Sequence, residues 1–366
     1  MKVHYLLAFI ALAACSKKEN INSTTSKKSV EQNCFIVSQG INFDDTRTTY
    51  SAPTNEDILK ALPKHIKQKQ LTEFQNFSYD QKQTDELKKK EKEYFASDSY
   101  QTKFQEWIKA LPEFNYLSVN ENFALAKNKY GLWIVEKNEN QFKPYFLGLT
   151  QNFYLNDFYK TDQKFIQNNQ FVASGTIVNI QRLSRVPMLP KYEVIKDGIE
   201  FSIPLDDIRK DSDGDGYNDL FEEFIGLNPS SKDTDGDGIS DFEDSNPKFK
   251  SETSKFTSMY ETIVDEPSEK LQYSFTEILT DCDYFHSINP KNLKVLVYKT
   301  DEKVPLKEDV IDNFFARKYS KMSTNKDFPE VYFTDFSDES GNGTYSAEYK
   351  DGKWKVDKKY TITFGM

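Results

Sequence analysis

The chain has 366 residues with 48 basic and 58 acidic side chains, a net charge of −10, 14% aromatic residues, three histidines and three cysteines. This balance leaves no electrostatic footprint for nucleic acid. The scarcity of histidine and the absence of G-x-S-x-G, H-E-x-x-H, C-x-x-C and P-loop patterns count against most enzymes, although a carboxylate pair for glycoside hydrolysis has no local signature and stays open.

In chain order, Lys2 precedes an apolar run, Tyr5 to Ala14, that stops at Cys15. A run this short cannot span a bilayer, which takes about 20 residues. Residues 1–14 therefore read as a secretory signal peptide. Leu12-Ala13-Ala14-Cys15 resembles the bacterial lipobox. The resemblance implies cleavage before Cys15, lipidation of that residue and anchorage of the mature chain. Several acyl chains on one residue hold a membrane firmly where one would not. Ser16 at the next position, by analogy with known lipoproteins, implies the outer membrane. Residues 15–33, rich in Ser, Thr, Lys and Asn, read as a flexible tether.

Residues 34–206 read as a mixed helix/β domain. Cys34-Phe35-Ile36-Val37 is strand-like. Thr54 to Asp57 caps a helix bearing Ile58, Leu59 and Leu62, and Pro63 can open a second one. His65 falls in that Lys/Gln-rich stretch and reads as a solvated helix position. Tyr100, Phe104, Trp107, Ile108 and Leu111 form one apolar stripe, predicting a helix over 99–111. Strands are expected at 123–126, 133–137, 141–147, 171–182, 192–195 and 199–205, with hairpin turns at Asn138-Glu139-Asn140 and Asp197-Gly198. Together they predict an antiparallel sheet packed on the helices. Cys34 and Cys282 could pair in an oxidising envelope; spacing alone does not decide it.

Residues 207–248 carry the strongest chemical signal. Two twelve-residue loops, offset by 22, put carboxylates at positions 1, 3, 5, 9 and 12, with Gly at 6. The first uses Asp211, Asp213, Asp215, Asp219 and Glu222; the second uses Asp233, Asp235, Asp237, Asp241 and Asp244. Calcium takes about 6–8 oxygen ligands, which alternating carboxylates supply when the chain wraps around the ion. Gly216 and Gly238 permit the sharp turn. Tyr217 and Ile239, at position 7, would each offer a backbone carbonyl, leaving their side chains free to vary. The second loop ends in Asp, one methylene shorter than Glu, so a weaker site is expected there. The loops hold eleven acids in 24 positions, while the rest of the chain is close to neutral, and such crowding calls for bound cations, about two Ca2+.

GLNPSSKDTDGDGISDFED resembles the bacterial thrombospondin type 3 repeat, and the likeness covers about residues 207–247. It implies calcium ligation by the ten acids named and a calcium-stiffened connector in an exported protein. The strand-like Phe201-Ser202-Ile203-Pro204-Leu205 before the first loop disfavours a true EF-hand pair. A dockerin-like adaptor, binding a partner through the loops themselves, is the alternative of the same shape. An exported hydrolase with structural calcium is the alternative of another class.

Residues 249–366 read as a small antiparallel α+β domain. A helix is expected at 255–262 and an amphipathic one at 308–319. Strands are expected at 271–281, 293–299, 329–336, 343–350 and 353–364, with turns at Ser340-Gly341-Asn342-Gly343 and Asp351-Gly352. His286, four residues after Cys282, could form a thiol–imidazole pair, but no third partner is apparent. The expected whole is an α+β, multi-domain envelope lipoprotein whose calcium module joins two domains. Its partners would be the membrane, through Cys15, and an envelope protein or glycan.

Overall fold

A computed structural model describes residues 33–37, 53–77, 81–155, 164–181, 191–265, 270–302, 304–305, 317–325, 327–338 and 341–363. The expected signal peptide, Cys15 and nearly all of the tether lie outside them. The fold is mixed α+β with several sheets. No helix among the described residues is long and apolar enough to cross a membrane.

The first regular elements are β1 (Phe35–Val37), α1 (Asn55–Lys60) and β2 (Lys67–Gln70). Thr54 caps α1 in a capping box: its hydroxyl accepts from the Asp57 N–H, and the Asp57 carboxylate accepts from the Thr54 N–H. No helix follows Pro63. Its carbonyl accepts from the Ile66 N–H in a turn, and the Lys/Gln run becomes β2. His65 is thus half-buried on a turn rather than solvated on a helix, and burial lowers its pKa.

Next come α2 (Gln81–Phe95), α3 (Asp98–Lys103) and α4 (Gln105–Ala110). The helix expected over 99–111 is two short ones. Phe104 breaks the run, with φ −111° and ψ 15°. The break turns Trp107 onto Tyr116, whose hydroxyl donates to the carbonyls of Trp107 and Leu111.

Four strands then form an antiparallel meander: β3 (Asn115–Asn120), β4 (Phe123–Asn128), β5 (Gly131–Asn138) and β6 (Gln141–Phe146). Alternation decides its two faces. Ala124, Ala126, Trp133, Val135 and Phe146 point into one core; Leu125, Leu132, Ile134 and Tyr145 point into another. The sheet is buried on both sides, which explains its near-continuous apolar runs.

The second core lies between this meander and a further antiparallel sheet. That sheet contains β2, β7 (Phe153–Leu155), β8 (Ile166–Gln167), β9 (Gln170–Gln181) and β10 (Lys191–Pro204), in the order β2-β10-β9-β7 with β8 beside β9. The hairpin expected at Asp197-Gly198 does not exist. β10 runs straight through, and bulges between Val194 and Ile199 absorb the extra residues because β9 pairs with both halves. Asp197 accepts from the Thr176 hydroxyl (2.6 Å) and the Phe77 N–H (2.7 Å). Gly198 sits at φ +60° against the Phe74 ring, where a Cβ would meet ring carbon at 2.3 Å.

The chain leaves β10 through a short turn, α5 (Leu205–Ile208), into the acidic loops. The first loop runs into α6 (Asp219–Ile225). After the second loop come α7 (Lys255–Val264), β11 (Phe275–Leu279), α8 (Asp283–His286), β12 (Lys294–Tyr298), β13 (Arg317–Tyr319), β14 (Met322–Asn325), β15 (Phe328–Asp338), β16 (Gly341–Lys350) and β17 (Lys353–Thr363). This third sheet is mixed, not purely antiparallel: β11 runs parallel to β12 and β13, and β14 is parallel to β1. The strand expected with the N-terminal region therefore belongs to the C-terminal sheet. The helix expected over 308–319 lies outside the described residues up to 316, and its last three residues are β13 instead. Gly341 to Gly343 are strand rather than turn, Gly341 pairing with Asp338. β12 is the last strand of its sheet, and its Val295 N–H donates to the Ser245 carbonyl at the end of the second loop (2.7 Å).

Cys34 and Cys282 form a disulfide between β1 and the start of α8. Both are buried, and Cys282 therefore offers no thiol to His286. That imidazole instead pairs with the Thr280 carbonyl (2.8 Å) and stacks on Phe249. The closed loop spans 248 residues, so reduction restores much chain entropy to the unfolded state and should cost about 2–5 kcal/mol. Hydrogen exchange on the Cys34→Ser, Cys282→Ser protein should show the Phe35–Val37 amides opening first. Unchanged protection there would mean that β1 holds its place by pairing alone.

Candidate metal centre

Each loop first organises itself. The position-1 carboxylate accepts backbone amides across the turn: Asp211 Oδ1 from Gly214, and Asp233 Oδ1 from Gly236 and Asp237. Position 3 accepts from position 5, and position 5 from position 7, in both loops. These bonds leave the second oxygens of Asp213, Asp215 and Asp235 buried without a partner.

Three groups of converging acids result, with donor atoms within 4.8 Å of one another: Asp211, Asp213 and Asp215; Asp233, Asp235 and Asp237; and a mixed group of Asp215, Glu222 and Asp241. The position-9 residues serve a second purpose. Asp219 closes its loop by accepting from the Ser212 N–H and hydroxyl (2.7 and 2.8 Å), and Asp241 does the same with Thr234 (2.8 and 2.6 Å). Asp219 also takes the Lys210 ammonium at 2.7 Å and lies in none of the three groups. Asp244 is buried, accepts from the Asn246 N–H with one oxygen, and likewise stands outside them.

Burial makes these acids costly. Glu222 has no solvent exposure, and neither of its carboxylate oxygens has a hydrogen-bond partner. One oxygen each of Asp213, Asp215, Asp235 and Asp244 is also buried and unpartnered. Desolvation, then repulsion from Asp213, Asp215 and Asp241, pushes Glu222 up to about 9. Desolvation first, and neighbouring acids after it, pushes Asp215 and Asp241 up to about 6 and Asp235 up to about 7. Burial would also raise Asp219, but the hydrogen bonds from Lys210 and Ser212 outweigh it and hold it low. Carboxylates crowded in low dielectric with open lone pairs fit a hard oxygen-seeking cation. The three groups could therefore hold metal ions.

The loops are seated on the protein core. Asn218, just before α6, is buried; its amide donates to the Phe146 and Ile208 carbonyls and accepts from the Phe146 N–H. Phe221 and Ile225 share a core with Trp133 and Phe146 on one side and Phe275 and Leu296 on the other. The Tyr217 side chain is not free to vary: it is fully buried and its hydroxyl donates to the Gln272 carbonyl (2.7 Å). Ile239, its counterpart, is exposed.

Lys294 was not legible as a site residue. It is fully buried, and its ammonium donates to the Tyr217 hydroxyl (2.7 Å) and to the carbonyls of Asp241 and Phe242 (3.1 and 2.6 Å). Burial pushes it down to about 7. Only its place in β12, an apolar run opening on a charge, hinted at a buried partner. Asn246 is the other anchor sequence reasoning missed, its amide donating to the His286 and Ile288 carbonyls. No family model, no curated protein and no solved structure matches this chain.

Proposed function

We propose that the chain is an exported bacterial lipoprotein, anchored to the outer membrane through Cys15, whose thrombospondin type 3-like loops bind calcium. In this reading its role is structural or binding, with an envelope protein or a glycan as partner. The ion acts as a clamp between the region of residues 34–206 and that of residues 249–366. The observation that carries the reading is Glu222, wholly buried with both carboxylate oxygens unpartnered and next in sequence to Phe221, which shares a core with Trp133 and Phe275. Ionised and without a cation, such a group opposes folding; with one, it becomes a cross-link. The connector reading is favoured over the dockerin-like adaptor because Phe221 and Ile225 of α6 are buried in the core, leaving the helix little apolar face for a partner.

The test is a calorimetric calcium titration of a soluble chain starting at residue 16, beside an Asp215→Asn, Asp237→Asn variant. The parent should bind calcium with measurable heat, and the variant should lose or much weaken it. A folded, metal-stripped parent that takes up no calcium would reduce the loops to acidic turns.

A further inference from the structure

We infer that the two loops share an interior cation position in addition to the one each forms alone, so that the chain holds three calcium ions. This rests on the reading of the loops as calcium sites. Asp211, Asp213 and Asp215 come from one loop, and Asp233, Asp235 and Asp237 from the other; alternate spacing alone brings each set together. In the third group the spacing of the first loop accounts for Asp215 and Glu222, its positions 5 and 12, but not for Asp241. The group joins Asp215 and Glu222 of the first loop to Asp241 of the second, with their donor atoms within 4.8 Å.

Two features distinguish this position from a surface cluster. Glu222 is completely buried with two unpartnered oxygens, and Asp241 is 1% exposed. The nearby ammonium groups are engaged elsewhere: Lys210 on Asp219, Lys143 on Asp211, and Lys294 on Tyr217 and the Asp241 and Phe242 carbonyls. Packing sets the register between the loops. The Phe242 ring lies against Gly216, where a Cβ would approach it to 3.0 Å, and against the Tyr217 ring at a centroid distance of 5.1 Å. Lys294 holds both sides of the same contact, through the Tyr217 hydroxyl on one and the Asp241 and Phe242 carbonyls on the other. Asp241 is thereby delivered to Asp215, which bridges the outer and interior positions. A hard divalent ion with an oxygen-only shell is the class of ligand that such a carboxylate set takes.

The consequence is that the loops do not load independently. Counting bound calcium by native mass spectrometry, in the parent and in Glu222→Gln, Asp241→Asn and double variants, tests this. Glu222→Gln is isosteric and breaks no hydrogen bond, and Asp241→Asn keeps one of the two oxygens that accept from Thr234. Three ions are expected in the parent, with the same single ion missing from each variant and from the double variant. Two ions in the parent, with each variant weakening a different one and the double variant weakening both, would overturn the shared position but leave calcium binding intact. Three ions retained in every variant would overturn it as well. No bound calcium in a folded parent would remove the underlying reading too.

Discussion

Stripping calcium at pH 8 should lower the melting temperature of the protein by about 10 °C and at pH 5 by far less. The size follows from linkage: a ligand at about a thousandfold its dissociation constant adds about 4 kcal/mol, and each kcal/mol shifts the midpoint of a large domain by about 2–4 °C. The pH dependence follows from the direction of the pKa shifts. Without metal, Glu222 is pushed up to about 9, Asp235 to about 7, and Asp215 and Asp241 to about 6. All four exceed their unfolded values, so the folded state holds protons that the unfolded chain has already released. Stability of the stripped protein therefore falls as pH rises from about 4 through these values. Calcium needs the same groups ionised, so its stabilising increment grows over that range. Thermal melts with and without chelator, from pH 5 to pH 9, check both halves. Superimposable melts at pH 8 would contradict the clamp, and a chelator effect larger at pH 5 than at pH 8 would contradict the role given to these acids.

Phe221→Ala should destabilise the calcium-loaded protein by about 3–5 kcal/mol, the usual cost of truncating a buried aromatic residue. Its ring lies 4.7 Å from Trp133, 5.3 Å from Tyr217, 5.8 Å from Phe146 and 6.3 Å from Phe275, measured between centroids. It thus touches the central meander, the first loop and β11 at once. It also precedes Glu222 on α6, so its loss should weaken calcium affinity along with stability. Urea unfolding and calorimetry on the same variant separate the two effects. A cost below about 1 kcal/mol would mean that α6 sits loosely and that the loops are an appendage rather than part of the core.

Local features were legible from the residues themselves. The capping box of Thr54 and Asp57 and the tight turn at Asp351-Gly352 need only neighbours in sequence, and both are found. The turn after Asn138 is tighter than its residues suggested, with Asn138 paired to Gln141. Features set by distant partners were not. Asp197-Gly198 has the chemistry of a hairpin, yet pairing of β9 on both sides of it confines it to a bulge. Phe104 fits a helical stripe, yet the chain breaks there to place Trp107 on Tyr116. β1 pairs in parallel with β14, nearly 290 residues on, and nothing in three apolar residues announces that. The acidic loops show the same division. The triplets of alternating aspartates converge as their spacing implies, whereas the approach of Asp241 to Asp215 and Glu222 depends on Phe242, Tyr217 and Lys294.

The bond from Val295 to Ser245 places the end of the second loop along the outer edge of β12. β12 is Lys-Val-Leu-Val-Tyr, buried throughout, and an uncovered strand of that composition is a template for another chain. The acidic segment is therefore also the guard of an adhesive edge. Under the proposed calcium binding, a loop that slackens on losing its ions would uncover that edge, and calcium supply would govern whether the protein keeps to itself or sticks to other copies.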